Sequence, residues 1–202
     1  MINQLFCNKD DTYDEDMMTF EHKKWKQTMN EVFARTLANM TIKNANILYL
    51  DGFEMHTTQT LRSQFGKDIT LFVANDCEKT CEKLRESNDI DYVVYDNLSN
   101  VVNNKWRHVD FHGAYLDLCG GSSQGIVDLL KIIMDNGRKR TLSVLGITIT
   151  PRDPNGQNMT QRIDAIEMEI KKRCKITRMQ DVYSDINQWT HSGVVTRFYT
   201  LF

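Results

Sequence analysis

The apolar residues of this chain fall into short runs that alternate with amphipathic stretches. Runs that are apolar throughout are typical of strands buried on both faces, whereas apolar positions three or four residues apart are typical of a helix with one buried face. The predicted strands lie at residues 47–50, 69–74, 92–95, 114–116, 142–150, 176–183 and 194–202. The predicted helices lie at residues 17–40, 57–65, 78–86, 99–105, 123–135 and 160–172. This alternation predicts a parallel sheet with helices on both faces.

The last two predicted strands follow each other without a helix between them. Strands joined in this way pair antiparallel, so the pattern predicts a doubly wound, mostly parallel, seven-stranded α/β sheet with a C-terminal antiparallel hairpin. We divide the chain into residues 1–40 and residues 41–202. The first part is an acidic tail and an N-terminal helical extension, which either packs on the domain or covers its site as a lid. The second part is a Rossmann-like domain.

The composition is that of an ordinary globular chain and narrows the classes of function. The chain has 202 residues, of which 41% are hydrophobic and 26% charged, and its net charge of −2 excludes a generally basic protein that coats nucleic acid. No apolar run approaches the roughly 20 residues that span a bilayer. Residues 1–9 lack the pattern of a secretory signal, so we expect a cytoplasmic protein without a membrane partner. The five cysteines include no CxxC pair, so we expect reduced thiols and no metal site.

Four of the predicted strands are followed by an aspartate, namely Asp51, Asp76, Asp96 and Asp117. Because the carboxyl ends of parallel strands meet at one edge of a sheet, these carboxylates are predicted to lie where open α/β sheets bind ligands. Aspartate is also a common turn and N-cap residue, which accounts for one or two such positions without any ligand. Four of them at successive strand ends favour a polar binding site.

In these features residues 46–202 resemble the class I S-adenosylmethionine-dependent methyltransferases. The segment Asn46-Ile-Leu-Tyr-Leu-Asp51-Gly52 resembles the first motif of the family, and Asp117-Leu-Cys-Gly falls at its fourth. The resemblance implies S-adenosylmethionine as the cofactor. It implies cofactor contacts from Asp51 and Gly52 at the methionine end, Asp76 at the ribose, Asp96 and Asn97 at the adenine, and Asp117 and Leu118 beside the methyl group.

The first motif departs from the family pattern Asp-x-Gly-x-Gly. Here Asp51 is followed by Gly52-Phe53-Glu54-Met55-His56, so a single glycine remains where the backbone usually approaches the ligand. We expect the larger side chains to turn away from the cleft, with Thr57 and Thr58 capping the next helix. Two functions stay open. One is methyl transfer to a nucleotide, RNA, small-molecule or protein acceptor, and the other is a catalytically inactive binding or regulatory subunit.

The turn after the fourth strand, Asp117-Leu-Cys-Gly-Gly-Ser-Ser123, has three interpretations. It is a strand-to-helix turn that glycine permits, or an anion-binding nest at a helix N-terminus. The third interpretation is a nucleophilic Cys119, by similarity to the pyrimidine C5 methyltransferases, because a helix N-terminus lowers the pKa of a thiol. The catalytic candidates are therefore Asp117 and Cys119. In the N-terminal helix, Trp25 either stacks on a base beside Lys23 and Lys24 or anchors the helix in the core.

Overall fold

The computed structural model describes residues 20–40, 43–118, 123–135, 141–149, 158–183 and 194–202. The helices are α1 (Phe20–Ala38), α2 (His56–Phe65), α3 (Glu78–Glu86), α4 (Leu98–Asn100, continued by a π-helical segment Val101–Lys105), α5 (Ser123–Asp135) and α6 (Met159–Lys171). The strands are β1 (Ala45–Tyr49), β2 (Ile69–Asn75), β3 (Tyr92–Tyr95), β4 (Gly113–Leu116), β5 (Val144–Ile149), β6 (Ile176–Tyr183) and β7 (Val195–Leu201). Each predicted element is therefore present, with shifts of a few residues at its ends.

The strands form one mixed sheet in the order β3-β2-β1-β4-β5-β7-β6. Strands β1 to β5 pair in parallel, whereas β7 lies between β5 and β6 and runs antiparallel to both. The predicted seven-stranded α/β sheet with a C-terminal antiparallel hairpin is confirmed. The direction of strand addition reverses between β1 and β4, so the switch point at which open α/β sheets bind ligands lies at their carboxyl ends.

Successive residues of the central strands point to opposite faces of the sheet, and each face is buried by its own helices. On β1, Ile47 and Tyr49 pack into one hydrophobic cluster and Leu48 into the other. The first cluster includes residues of α1, α2 and α3, and the second includes residues of α4, α5 and α6. The sheet is therefore covered on both sides, as its apolar strands require.

Helix α1 packs into the core of the domain on the first face. Met29 and Phe33 are fully buried, and Trp25 is partly buried against the same cluster. Gly113 at the start of β4 permits this close approach, because a Cβ atom there would lie 2.7 Å from Leu37 Cδ2. The packing of Trp25 favours the anchoring interpretation over base stacking.

Among the described residues, no helix is both long enough and apolar enough to cross a membrane. The same residues include no group of three or more His, Cys, Asp or Glu side chains arranged to hold a metal ion. Cys77, Cys81 and Cys174 are present as thiols.

Candidate functional site

The carboxyl ends of β1 to β4 lie side by side at one edge of the sheet, and hydrogen bonds join the neighbouring loops. Asn75 Nδ2 donates to the backbone oxygen of Asp51 at 3.0 Å, and the backbone N–H of Asp96 donates to the backbone oxygen of Asn75 at 3.1 Å. Asp51, Asp76, Asp96 and Asp117 therefore follow neighbouring parallel strands at the same edge. Asn75, which sequence reasoning did not single out, joins the ends of β1, β2 and β3.

The carboxylate of Asp51 is buried and its hydrogen-bonding capacity is used within the protein. Oδ1 accepts from the backbone N–H groups of Gly52 at 3.1 Å and Thr57 at 3.4 Å. Oδ2 accepts from the backbone N–H of Thr58 at 2.8 Å and from its hydroxyl at 2.6 Å. Burial raises the pKa of the Asp51 carboxyl, and these hydrogen bonds act in the opposite direction. Asp51 thus holds the loop that connects β1 to α2.

The prediction that Thr57 and Thr58 cap helix α2 is wrong. The N-cap position is Met55, whose side chain makes no capping hydrogen bond, and the two threonines lie in the first turn. Asp51 binds the N–H groups of that turn from the end of β1, because an anion is favoured at a helix N-terminus. Met55 has φ of 60°, an uncommon value for a residue with a side chain, and its side chain is buried in the core.

Two further hydrogen bonds extend from the threonines into the core. Thr57 Oγ1 donates to Asn30 Oδ1 of α1 at 3.1 Å, and Thr58 Oγ1 lies 2.7 Å from the hydroxyl of Tyr49 on β1. All five side chains are buried. We refer to Asn30, Tyr49, Asp51, Thr57 and Thr58 as the Asp51 network. It joins α1, β1 and α2 beneath the loop, and burial together with the nearby Asp51 raises the pKa of Tyr49.

The bulky residues of the loop after Asp51 contact α3 or the core. Lys83 Nζ of α3 lies 3.6 Å from the centre of the Phe53 ring and 3.9 Å from Glu54 Oε1, and Met55 packs into the core on the α1 face. Apart from the two adjacent residues, no described atom lies within 4 Å of the position that a Cβ atom on Gly52 would take. No described residue therefore blocks the approach of a ligand to the backbone at Gly52 from the side where a Cβ atom would project.

Asp76 follows β2 and has an exposed side chain. Its carboxylate makes no hydrogen bond or ion pair with any residue that the structure describes. The preceding Asn75 orients the turn, because its Oδ1 accepts from the backbone N–H of Cys77 at 2.8 Å. As far as the described residues show, Asp76 thus presents an unoccupied acceptor at the carboxyl edge of the sheet.

Asp96 and Asn97 follow β3 and are half-buried. Asp96 Oδ1 accepts from the backbone N–H of Asn97 at 2.8 Å and from Asn100 Nδ2 at 3.3 Å. Asn97 is the N-cap of α4, with its Oδ1 accepting from the backbone N–H of Ser99 at 2.9 Å. Within the described part of the chain, Asp96 Oδ2 and Asn97 Nδ2 have no hydrogen-bond partner.

Asp117 and Leu118 follow β4, and both are half-buried. Lys26 Nζ of α1 lies 3.9 Å from Asp117 Oδ2, and Leu118 packs against the hydrophobic cluster on the second face. Cys119 and residues 120–122 lie outside the described residues, so the three interpretations of this turn stay predictions.

Two residues of α1 at this edge were missed by sequence reasoning. Lys26 and Asn30 are four positions apart, so they share a face of the helix. The available signal was Asn30, a polar residue placed between Met29 and the apolar Val32 and Phe33 of the buried stripe.

The strand order and the antiparallel β7 define the class I methyltransferase fold. The sequence matches no protein-family model and no curated protein. Solved structures with this fold include the plantazolicin methyltransferase BpumL, at a TM-score of 0.61 and 9% identity over 93% of this chain and 87% of that one. Magnesium protoporphyrin IX methyltransferase from Synechocystis PCC 6803 has a TM-score of 0.59 and 9% identity over 91% and 85% of the two chains. Aeropyrum pernix fibrillarin has a TM-score of 0.57 and 13% identity over 87% and 76%.

Proposed function

We propose that this protein is an S-adenosylmethionine-dependent methyltransferase with its cofactor site at the carboxyl edge of β1 to β4. The observation that carries the proposal is the carboxylate of Asp76 after β2, which no described residue binds, together with the open backbone of Gly52 after the neighbouring β1, at the carboxyl edge of a sheet with the class I methyltransferase strand order. The structures from Synechocystis and Aeropyrum pernix hold bound S-adenosylmethionine, which supports the choice of cofactor.

The residues at this edge fit such a cofactor. A carboxylate accepts two ribose hydroxyls well, because a charged acceptor strengthens both hydrogen bonds. No residue that the structure describes occupies the oxygens of Asp76. Asp96 Oδ2 and Asn97 Nδ2 offer an acceptor and a donor, which suit the amino group and ring nitrogens of adenine. The open side of Gly52 admits the methionine end. We propose that Asp51 acts through the backbone of this loop, since its own oxygens are occupied.

The cofactor, when bound, supplies an electrophilic methyl group on a positively charged sulfur. Asp117 and Leu118 are proposed to lie beside that group, where a carboxylate favours the positive charge and an apolar side chain excludes water. The transfer is an in-line displacement, so the rate depends chiefly on how well the chain positions the acceptor. Cys119 remains a candidate nucleophile in the turn that follows.

The fold leaves the class of acceptor open. Two of the neighbours named above share this fold, yet by their names one is a methyltransferase of plantazolicin and the other of magnesium protoporphyrin IX. We therefore propose a nucleotide, RNA, a small molecule or a protein side chain as the acceptor. The inactive-subunit alternative was motivated by the lost glycines of the first motif, and it would be favoured if Phe53 or His56 filled the cleft. Phe53 instead contacts Lys83 of α3, and Met55 packs into the core.

Calorimetric titration with S-adenosylhomocysteine tests the proposal without knowledge of the acceptor. We expect saturable binding of one ligand per chain, with S-adenosylmethionine competing for the same site. NAD serves as the control ligand, because the chain lacks the glycine-rich dinucleotide fingerprint and should give no heat. A flat titration with S-adenosylhomocysteine would refute the proposal and favour the binding-subunit function.

A further inference from the structure

One face of α1 contacts the loops on both sides of the switch point. Lys26 Nζ lies 3.9 Å from Asp117 Oδ2 after β4. Asn30 Oδ1 accepts a hydrogen bond from the hydroxyl of Thr57 in the first turn of α2. Strands β1 and β4 are neighbours, and strand addition reverses between them. Helix α1 therefore bridges the two loops between which open α/β sheets bind their ligands.

Asn30 is a polar residue at a buried position of α1, where an apolar side chain would be enough for packing. It is only 5% exposed, and its partner Thr57 is 6% exposed. Burying an amide and a hydroxyl costs free energy unless they are hydrogen-bonded to each other or to other groups. Met29 and Phe33 on either side already supply the apolar contacts of α1 with the sheet. The hydrogen bond between Asn30 and Thr57 is therefore a specific constraint on α2.

That constraint acts on the same turn that Asp51 binds. The backbone N–H of Thr57 donates to Asp51 Oδ1 at 3.4 Å, which is long, whereas that of Thr58 donates to Oδ2 at 2.8 Å. The weaker of the two backbone contacts is thus at the residue whose hydroxyl is held by Asn30. Releasing that hydroxyl would let the first turn of α2 and the loop from Gly52 to Met55 shift.

We propose that Asn30 is a positioning residue of the cofactor site. Through Thr57 it holds the first turn of α2 and the loop after Asp51 in the geometry that admits the methionine end of the cofactor, and it makes no contact with the cofactor itself. This inference rests on the proposed function. It makes α1 a wall of the site, consistent with the second contact at Lys26 and Asp117.

Substitutions of the two partners test the inference in the full chain. Asn30→Ala removes the acceptor, Thr57→Val removes the hydroxyl, and Thr57→Ser keeps it. Gln27→Ala is the matched control, because Gln27 lies on the exposed side of α1 and its side chain hydrogen-bonds, among the described residues, only to the exposed Glu31. Two properties are measured well below the melting temperature: the dissociation constant of S-adenosylhomocysteine, and hydrogen exchange of the Thr57 and Thr58 amides in the ligand-free protein.

We expect Asn30→Ala and Thr57→Val each to weaken S-adenosylhomocysteine binding by roughly fivefold to tenfold, the range of one lost hydrogen bond. Both should speed exchange at Thr57 and Thr58. The double variant should be no weaker than the worse single variant, because both remove the same contact. Thr57→Ser and Gln27→Ala should keep the affinity of the unchanged protein.

Lower melting temperatures with unchanged affinity and exchange would show that Asn30 only packs, and would overturn the inference. Additive losses of affinity would overturn it as well. If Asn30→Ala does not fold, the comparison of Thr57→Val with Thr57→Ser decides in its place. If the unchanged protein binds no S-adenosylhomocysteine, the proposed function fails, and the exchange data still decide whether Asn30 holds the loop.

Discussion

The strand-end aspartates differ in how much of their hydrogen-bonding capacity the protein already uses. Asp51 accepts four hydrogen bonds from the loop and from α2. Asp96 accepts two through one oxygen, and Asp76 accepts none from the described residues. A buried carboxylate with four donors is part of the scaffold, whereas an exposed one without donors is available to a ligand. Among these three aspartates, Asp76 is therefore the one we propose first as a ligand-binding residue.

Asp76→Ala should weaken S-adenosylhomocysteine binding without loss of stability. Each hydrogen bond from a ribose hydroxyl to a carboxylate is worth about 1.5–3 kcal/mol, so the dissociation constant should rise roughly tenfold or more. Calorimetry measures this change. Asp68→Ala is the control, because Asp68 is also exposed but precedes β2 at the opposite edge of the sheet. Equal affinities of the two variants would remove Asp76 from the site.

His112 should make stability depend on pH. The backbone N–H of Asn46 donates to His112 Nδ1 at 3.1 Å, so the imidazole must be neutral to accept it. Burial lowers the pKa of His112 from its usual value of 6.5, against an opposing effect of Asp110. The unfolded chain then binds a proton at a pH where the folded protein does not. The contribution of His112 to the free energy of unfolding is therefore fully present above about pH 6.5. It is lost as the pH drops from there towards the lowered pKa of the folded protein.

The comparison with His112→Asn isolates this contribution, because asparagine offers an acceptor that does not titrate. Melting temperatures of both proteins are measured at pH 7.5 and 5.5. The unchanged protein should lose more than the variant over this interval, since all other titrating groups are shared. Parallel losses would mean that His112 does not control this part of the pH profile.

At the scale of elements, β7 joins the edge strand β6 to the rest of the sheet. It supplies hydrogen bonds to β5 on one side and β6 on the other, and Phe198 and Tyr199 are buried on opposite faces. Deleting residues 196–202 should therefore give an insoluble or molten chain, because an inner ladder is opened on both sides. Near-ultraviolet circular dichroism and size-exclusion chromatography measure this. Phe202→Ala is the control, since Phe202 is 92% exposed, and a truncated chain with the parent melting temperature would contradict the expectation.

At the scale of the whole molecule, α1 packs against the sheet through a shared hydrophobic cluster. The α1 residues Met29, Phe33 and Leu37 share a cluster with strand residues such as Tyr115 and Phe198. A chain of residues 41–202 should therefore expose this apolar surface and aggregate or melt without cooperativity. Size-exclusion chromatography and thermal melting beside the full chain provide the measurement. A monomeric fragment with a cooperative melt would show that the division at residue 40 separates an independent domain.

The kinds of element, their order and the edge at which the polar residues lie could all be predicted from the sequence. The continuous apolar run Ile47-Leu48-Tyr49 predicted a strand buried on both faces, and the structure places Leu48 in one hydrophobic cluster and Ile47 and Tyr49 in the other. The antiparallel pairing of β6 and β7 was predicted because the sequence between them shows no helical pattern. The strand-end position of Asp76 and Asp117 followed from parallel pairing, which brings all carboxyl ends to one side.

The order of the strands in the sheet and the contacts of each polar group could not be predicted in this way and are seen in the folded protein. Nothing local places β7 between β5 and β6, because strand pairing depends on contacts between distant segments. The hydrogen bonds between Asp51 and the first turn of α2, and between Thr57 and Asn30, 27 residues apart, likewise depend on how distant segments pack. The side chain of an asparagine or aspartate can form hydrogen bonds with several alternative partners. Packing selects among them, because each buried donor and acceptor must find a partner at the position where the fold has placed it.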